Sequence, residues 1–111
     1  MSQRLCASAE LVDGGPGLRF EVVKGASAQA AFAVRHRGRV HAYINRCAHV
    51  GVELDWEPGA FFDASKLYLI CATHGARYAP ESGRCFAGPC KGGALEPVAV
   101  EERAGAVYLL E

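Results

Sequence analysis

Four residues with metal-binding side chains stand in two short segments of the sequence: Cys47, His49, Cys71 and His74. The first segment reads CAHVG and the second CATHG, so each pairs a thiolate with an imidazole and has a glycine shortly afterwards. Two sulfur and two nitrogen donors complete the ligand set of a metal centre. We therefore interpret the rest of the chain as a scaffold that holds these two boxes together.

Two kinds of metal centre fit this donor set. A structural zinc ion would take all four ligands in one tetrahedron, but zinc fingers usually place their cysteines together and their histidines together. A mixed-ligand [2Fe–2S] cluster takes two thiolates on one iron and two imidazoles on the other. Because each box here contains one cysteine and one histidine, each loop would give one ligand to each iron. The spacing favours the cluster.

Length and composition restrict the other possibilities. The chain has 111 residues, half of them hydrophobic, so we expect a single domain over residues 1–111 with its own core. Twelve basic and twelve acidic side chains give a formal charge of zero, which argues against nucleic acid or an anionic membrane surface as a partner. No apolar run approaches a membrane span, and the N-terminus lacks a signal pattern. We expect a cytoplasmic location, where five cysteines suit a metal role better than a disulfide framework.

Glycine-rich and proline-rich turn signals divide the chain into short runs of β-branched and aromatic residues, which predicts an all-β sandwich or barrel. Within one run, Val40, Ala42 and Ile44 would share a face opposite Tyr43. The best helix candidate is the short, alanine-rich stretch Ala26–Phe32. The predicted strands are Leu5–Ala9, Arg19–Val23, Ala31–Arg35, Arg39–Ile44, Lys66–Ile70, Ala76–Ala79, Pro97–Glu101 and Ala106–Leu110.

Three of the turns predict hairpins. They lie at Arg35–Arg39, Ala79–Arg84 and Glu101–Ala106, and each contains a glycine where a tight turn needs a positive φ. The middle hairpin directly follows the second box, so it should fix how His74 is presented.

The boxes and their flanking segments resemble the Rieske [2Fe–2S] ferredoxin family. The resemblance rests on CAHVGVEL from Cys47, on CATHGARY from Cys71, on SGRC followed by Gly88 and Pro89, and on the later segments LEPV and GAVY. It implies the antiparallel Rieske fold, with a small cluster-binding subdomain over about residues 45–91. It also implies that Cys47 and Cys71 bind the buried iron, while His49 and His74 bind the outer iron at a tip that faces the partner.

The resemblance further implies a one-electron carrier between a reductase and an oxygenase, as in bacterial ring-hydroxylating dioxygenases, with no catalytic residue of its own. One alternative is an accessory subunit similar to the small subunit of nitrite reductase. A second is a zinc-stabilised binding module, and a third is a redox sensor that uses Cys90.

Some positions depart from the family pattern. An aromatic loop, residues 56–63, lengthens the connection between the boxes, and we expect Trp56, Phe61 and Phe62 to serve loop packing. High-potential members carry an extra disulfide and a serine near the cluster, where this chain has Val52, Ala72 or Thr73, and Ala76. Tyr78 matches a tyrosine that donates to a cysteine sulfur. With one such donor, we expect a potential in the lower half of roughly −150 to +300 mV.

The remaining polar and sulfur-containing residues have simpler interpretations. We expect His36 and His41 to be solvated on a hairpin, and Cys85 to be a small core residue of a strand. The alternating carboxylates of Glu53, Asp55 and Glu57 suggest a solvated face.

Overall fold

The computed structural model describes residues 2–48, 52–73, 75–89 and 92–110. In this part of the chain the fold is all-β, as predicted, with three antiparallel sheets of three strands each. The sheet orders are β1-β9-β8, β2-β3-β4 and β5-β6-β7. One 3-10 helix, Ser8–Glu10, follows the first strand. The strands are β1 Ser2–Ala7, β2 Leu18–Lys24, β3 Ser27–His36, β4 Arg39–Ile44, β5 Leu69–Ile70, β6 Arg77–Tyr78, β7 Cys85–Ala87, β8 Val100–Arg103 and β9 Ala106–Leu110.

The sheet β2-β3-β4 contributes one face to each of two hydrophobic clusters. Phe32, Val34 and Tyr43 belong to a cluster that also contains the thiols of Cys47 and Cys71. The opposite face contributes Ala33 and Ala42, with Val40 partly buried, to a cluster with Cys6, Leu11 and Val107. Since side chains alternate along a strand, this is the pattern predicted for β4, with Ala42 and Tyr43 on opposite faces.

The helix candidate Ala26–Phe32 is wrong, because no residue of this stretch is helical. Most of the stretch forms β3, which pairs with β2 on one side and with β4 on the other. Ala31 and Ala33 are completely buried, so their small side chains let another layer pack closely against the strand. A helix of this length is marginal by itself, and two long strand pairings outweigh the helical preference of alanine.

The predicted strand positions hold with shifts at their ends. β4 and β9 have the predicted bounds, whereas β5 is shorter and β8 starts later than expected. The hairpin turns at Arg37-Gly38 and Ala104-Gly105 have consecutive positive φ angles, 52° and 80° in the first and 51° and 77° in the second. Positive φ at both central residues is typical of the type I′ turn, whose twist matches that of the two flanking strands. The predicted strand ranges do not include β7, although Cys85 was expected to lie in a strand.

The small sheet β5-β6-β7 positions the second box. The first box follows β4, the second lies between β5 and β6, and the segment with Gly88 and Pro89 follows β7. Ile70 N–H donates to Phe61 O over 2.9 Å, which attaches this sheet to the aromatic loop. In the described ranges, no helix has the length and apolar character needed to cross a bilayer.

Candidate metal centre

The two predicted sulfur ligands lie together in the core. Cys47 is 1% exposed and Cys71 is fully buried, and both belong to the same hydrophobic cluster. His49 and His74 lie outside the described residues, so the ligand set of four remains a prediction. Among the residues that the structure covers, no three His, Cys, Asp or Glu side chains form a metal-binding group.

A backbone hydrogen bond joins the cysteine of each box to the residue that follows the box. Cys47 N–H donates to Val52 O over 2.6 Å, and Cys71 N–H donates to Ala76 O over 2.9 Å. A further bond joins the loops, because Ala72 N–H donates to Leu54 O over 2.9 Å. The two thiols are therefore presented by loops that are bonded to each other.

The Tyr78 hydroxyl contacts the first box at Cys47 and Ala48. Its oxygen is 3.3 Å from Cys47 Sγ and accepts a 3.0 Å hydrogen bond from Ala48 N–H. Burial raises the pKa of Tyr78 well above the ordinary value of a phenol, and the hydrogen bond with Cys47 and the nearby Cys71 thiol raise it further. The hydroxyl thus keeps its proton. If Cys47 binds a metal as a thiolate, only the hydroxyl can donate, which is the role that the family resemblance implies for Tyr78.

The segment after β7 lies directly against the second box. Gly88 has a φ of +89°, and a Cβ there would be 2.9 Å from Ala76 Cα and 3.2 Å from Gly75 O. Only glycine permits both this backbone conformation and this approach. Ala76 is fully buried, and as alanine it offers no side-chain hydroxyl at the position where high-potential relatives carry serine.

Asp55 corrects the expectation of a solvated face. Glu53 and Glu57 are exposed, but the side chain of Asp55 is fully buried. It accepts hydrogen bonds of 2.9 Å from Asn45 Nδ2 and from Gly59 N–H. Asp side chains often accept from turn amides a few residues later, so the spacing to the Pro58-Gly59 turn was the available signal.

The loop-packing prediction for the aromatic loop holds for some of its aromatic residues and fails for another. Phe61 is fully buried and stacks on Phe32, with ring centroids 4.0 Å apart, and Phe62 packs against the same cluster. These two residues confirm the loop-packing prediction. Trp56 is 81% exposed, so the prediction is wrong for this residue.

The two hairpin histidines are not simply solvated. His36 is 6% exposed, and its Nε2 lies 3.4 Å from Glu81 Oε2. Its ring also lies beside Phe62, with centroids 6.2 Å apart. His41 is partly buried, and burial, followed by the proximity of His36, lowers its pKa. His36 at the end of β3 and His41 on β4 are therefore more buried than the glycine turn between them indicated.

The bonding state of Cys85 also differs from the prediction. Cys85 is buried in β7, as expected of a core residue, but it is disulfide-bonded. Cys6, Cys47 and Cys71 carry thiols, and burial raises the pKa of Cys6. Cys90 lies outside the described residues.

Comparisons with known proteins agree with this fold. The family model for the Rieske [2Fe–2S] domain matches residues 2–101. The terminal oxygenase of carbazole 1,9a-dioxygenase from Novosphingobium sp. KA1 superposes with a TM-score of 0.77 and 25% identity, over 97% of this chain and 29% of that chain. The corresponding oxygenase from Nocardioides aromaticivorans IC177 gives 0.77 and 22%, again over 97% and 29%.

A structure of the reduced oxygenase–ferredoxin complex of carbazole 1,9a-dioxygenase gives a TM-score of 0.77 and 20% identity, over 97% of this chain and 27% of that chain. The chain thus spans less than a third of the length of the chains it matches. No curated protein sequence matches it significantly.

Proposed function

The chain belongs to the Rieske [2Fe–2S] domain family, and on this basis we propose that it carries single electrons between redox proteins. The family implies a Rieske-type [2Fe–2S] cluster, which when bound supplies a one-electron redox change. We propose Cys47 and Cys71 as ligands of the buried iron, and His49 and His74 as ligands of the outer iron. The proposed role is electron transfer without catalysis by this chain itself.

The observation that carries the proposal is the pair of buried thiols beside the Tyr78 hydroxyl. Two cysteines on bonded loops suit one iron of the cluster, and their burial excludes water from the sulfur atoms. Tyr78 provides a protonated donor 3.3 Å from Cys47 Sγ. Hydrogen bonds and burial around the sulfurs are the means by which a protein adjusts such a centre. The residues present therefore fit the group that the family implies.

We propose a reductase and an oxygenase-type protein as partners, reached through the tip that would carry His49 and His74. Support comes from the matched structures, which are terminal oxygenases and an oxygenase–ferredoxin complex. We also propose that residues 1–111 form one domain, with a cluster-binding subdomain over about residues 45–91. Both boxes, the small sheet and the Gly88-Pro89 segment fall inside that range.

The proposal is tested by electron paramagnetic resonance of the dithionite-reduced protein, with iron and zinc counted on the same sample. We expect a rhombic signal of the mixed-ligand type, together with two irons per chain. Replacing one proposed outer ligand, in His49→Cys or His74→Cys, should abolish this signal even if iron is retained. An unchanged spectrum in both variants would refute the ligand assignment, and a silent sample containing one zinc would refute electron transfer.

A further inference from the structure

The Asn45 side chain bonds across the first cluster-binding loop. Asn45 stands two residues before Cys47, and its Oδ1 accepts a 2.8 Å hydrogen bond from Leu54 N–H at the far end of the loop. Its own backbone N–H donates to Ala30 O on β3 over 2.8 Å. The side chain thus ties the far end of the loop to the end of β4, a strand of the central sheet β2-β3-β4.

Asp55 completes this arrangement. Its Oδ1 accepts from Asn45 Nδ2, and its Oδ2 accepts from Gly59 N–H and lies 3.3 Å from Arg19 Nε. Both carboxylate oxygens are therefore engaged inside the protein. One fully buried side chain connects the first box, the aromatic loop and β2.

The connection continues to the second box. Leu54, the residue whose N–H bonds to Asn45, uses its carbonyl to accept from Ala72 N–H, next to Cys71. The path from Asn45 through Leu54 to Ala72 contains only hydrogen bonds of 2.8 to 2.9 Å. The side chain of Asn45 is thereby linked, through Leu54, to the loop that carries Cys71.

We propose that Asn45 and Asp55 form a buried clasp that holds the two cluster-binding boxes at the separation the cluster requires. Both are positioning residues that act through Leu54 and Ala72. The inference rests on the proposed function, since it assigns these residues a role toward the cluster. The sheet β2-β3-β4 is held by the two hydrophobic clusters on its faces. Loss of the clasp should therefore release the loops before it unfolds the domain.

The chemistry of the clasp permits an exchange test. In Asn45→Asp, the new carboxylate still accepts from Leu54 N–H but faces the carboxylate of Asp55. In Asp55→Asn, the amide has one acceptor oxygen for two donors, Asn45 Nδ2 and Gly59 N–H, which leaves a buried polar group unsatisfied. The double variant Asn45→Asp/Asp55→Asn is the exchange variant. In it, the amide at 55 donates to the carboxylate at 45 and accepts from Gly59 N–H. Every hydrogen bond of the clasp is then restored, and only the negative charge of residue 55 beside Arg19 is lost.

The experiment measures the rate at which excess iron chelator removes the cluster from each variant. It also measures the linewidth of the reduced electron paramagnetic resonance signal and hydrogen exchange at the Leu54 and Ala72 amides. We expect each single variant to lose the cluster about tenfold faster or more, at the lower end of the effect of supporting residues around metal sites. We expect the exchange variant to return most of the way to wild type.

Two control variants separate positioning from general stability. Val107→Ala removes fully buried volume from the other hydrophobic cluster, away from the boxes, and should lower the melting temperature without broadening the signal. Glu53→Gln removes an exposed carboxylate from the same loop and should have little effect on cluster loss. If Val107→Ala accelerates cluster loss as much as the single clasp variants at matched stability, or if the exchange variant is no better than they are, the clasp is refuted.

Failure of the proposed function would look different. If wild-type protein binds no iron, the electron-carrier proposal fails, but hydrogen exchange still tests the clasp in metal-free protein. The single variants should then show faster exchange at Leu54 and Ala72, and the exchange variant should restore protection. Unchanged exchange at both amides in the single variants would refute the clasp whether or not iron is bound.

Discussion

Removal of the Tyr78 hydroxyl should lower the reduction potential of the iron–sulfur centre. Tyr78→Phe keeps the ring, which is fully buried, and deletes the donor that lies 3.3 Å from Cys47 Sγ. Reduction adds negative charge to the cluster, so a hydrogen bond to sulfur becomes stronger in the reduced state. The hydroxyl therefore favours reduction, and its loss must shift the potential downwards.

The size of the shift follows from the strength of the bond. A hydrogen bond to a charged group contributes about 1.5–3 kcal/mol, and only its difference between the two redox states changes the potential. If that difference is about 1–2 kcal/mol, the one-electron relation of 59 mV per tenfold change gives a drop of about 40–90 mV. The variant also removes the acceptor of the part-buried Ala48 N–H, which should cost about 1 kcal/mol of stability.

Tyr43→Phe provides a matched control for this measurement. Tyr43 is buried like Tyr78, but its hydroxyl donates to Pro80 O over 2.6 Å and not to a thiol. Burial raises the pKa of Tyr43 to about 12, so this hydroxyl is also protonated. Redox titration of both variants should show a drop for Tyr78→Phe and almost none for Tyr43→Phe. Equal shifts in the two variants, or no shift for Tyr78→Phe, would refute the assigned role of the hydrogen bond.

Three further predictions concern stability. Gly88→Ala should destabilise the protein more than Gly92→Ala in thermal melts, by about 1–3 kcal/mol. Both glycines have a positive φ, but only at Gly88 would a Cβ meet backbone; equal losses would contradict this reasoning. The hydrogen bond from Arg35 holds the pKa of Glu102 below its ordinary value of 4.5. That stabilisation is present above about pH 4.5 and is lost as the pH falls through the lower folded pKa. Glu102→Gln should therefore flatten the acid limb of a stability–pH curve, and an unchanged limb would argue against it. Trp56→Ala should change the free energy of unfolding by no more than about 0.5 kcal/mol, because the side chain is 81% exposed; a larger loss in urea titration would show that Trp56 is packed.

The sequence by itself determined the features that depend on near neighbours. Glycine and its neighbours set the φ angles of the turns at Arg37-Gly38 and Ala104-Gly105, so these hairpins were predictable. The donor types in the two boxes indicated a mixed-ligand cluster before any contact was known. The alternation in β4 assigned Ala42 and Tyr43 to opposite faces, because strand periodicity is a local property.

Tertiary structure decided which side chains are buried and what they contact. Asp55, His36 and Trp56 each differ from the local expectation. Asp55 and His36 lie under segments that are distant in sequence or folded back on them, whereas the Trp56 side chain remains exposed to solvent. The alanine-rich stretch likewise became part of β3 only because β2 and β4 pair with its two edges. Composition and periodicity describe a residue and its neighbours, whereas burial depends on the layer that packs above it, and that layer comes from elsewhere in the chain.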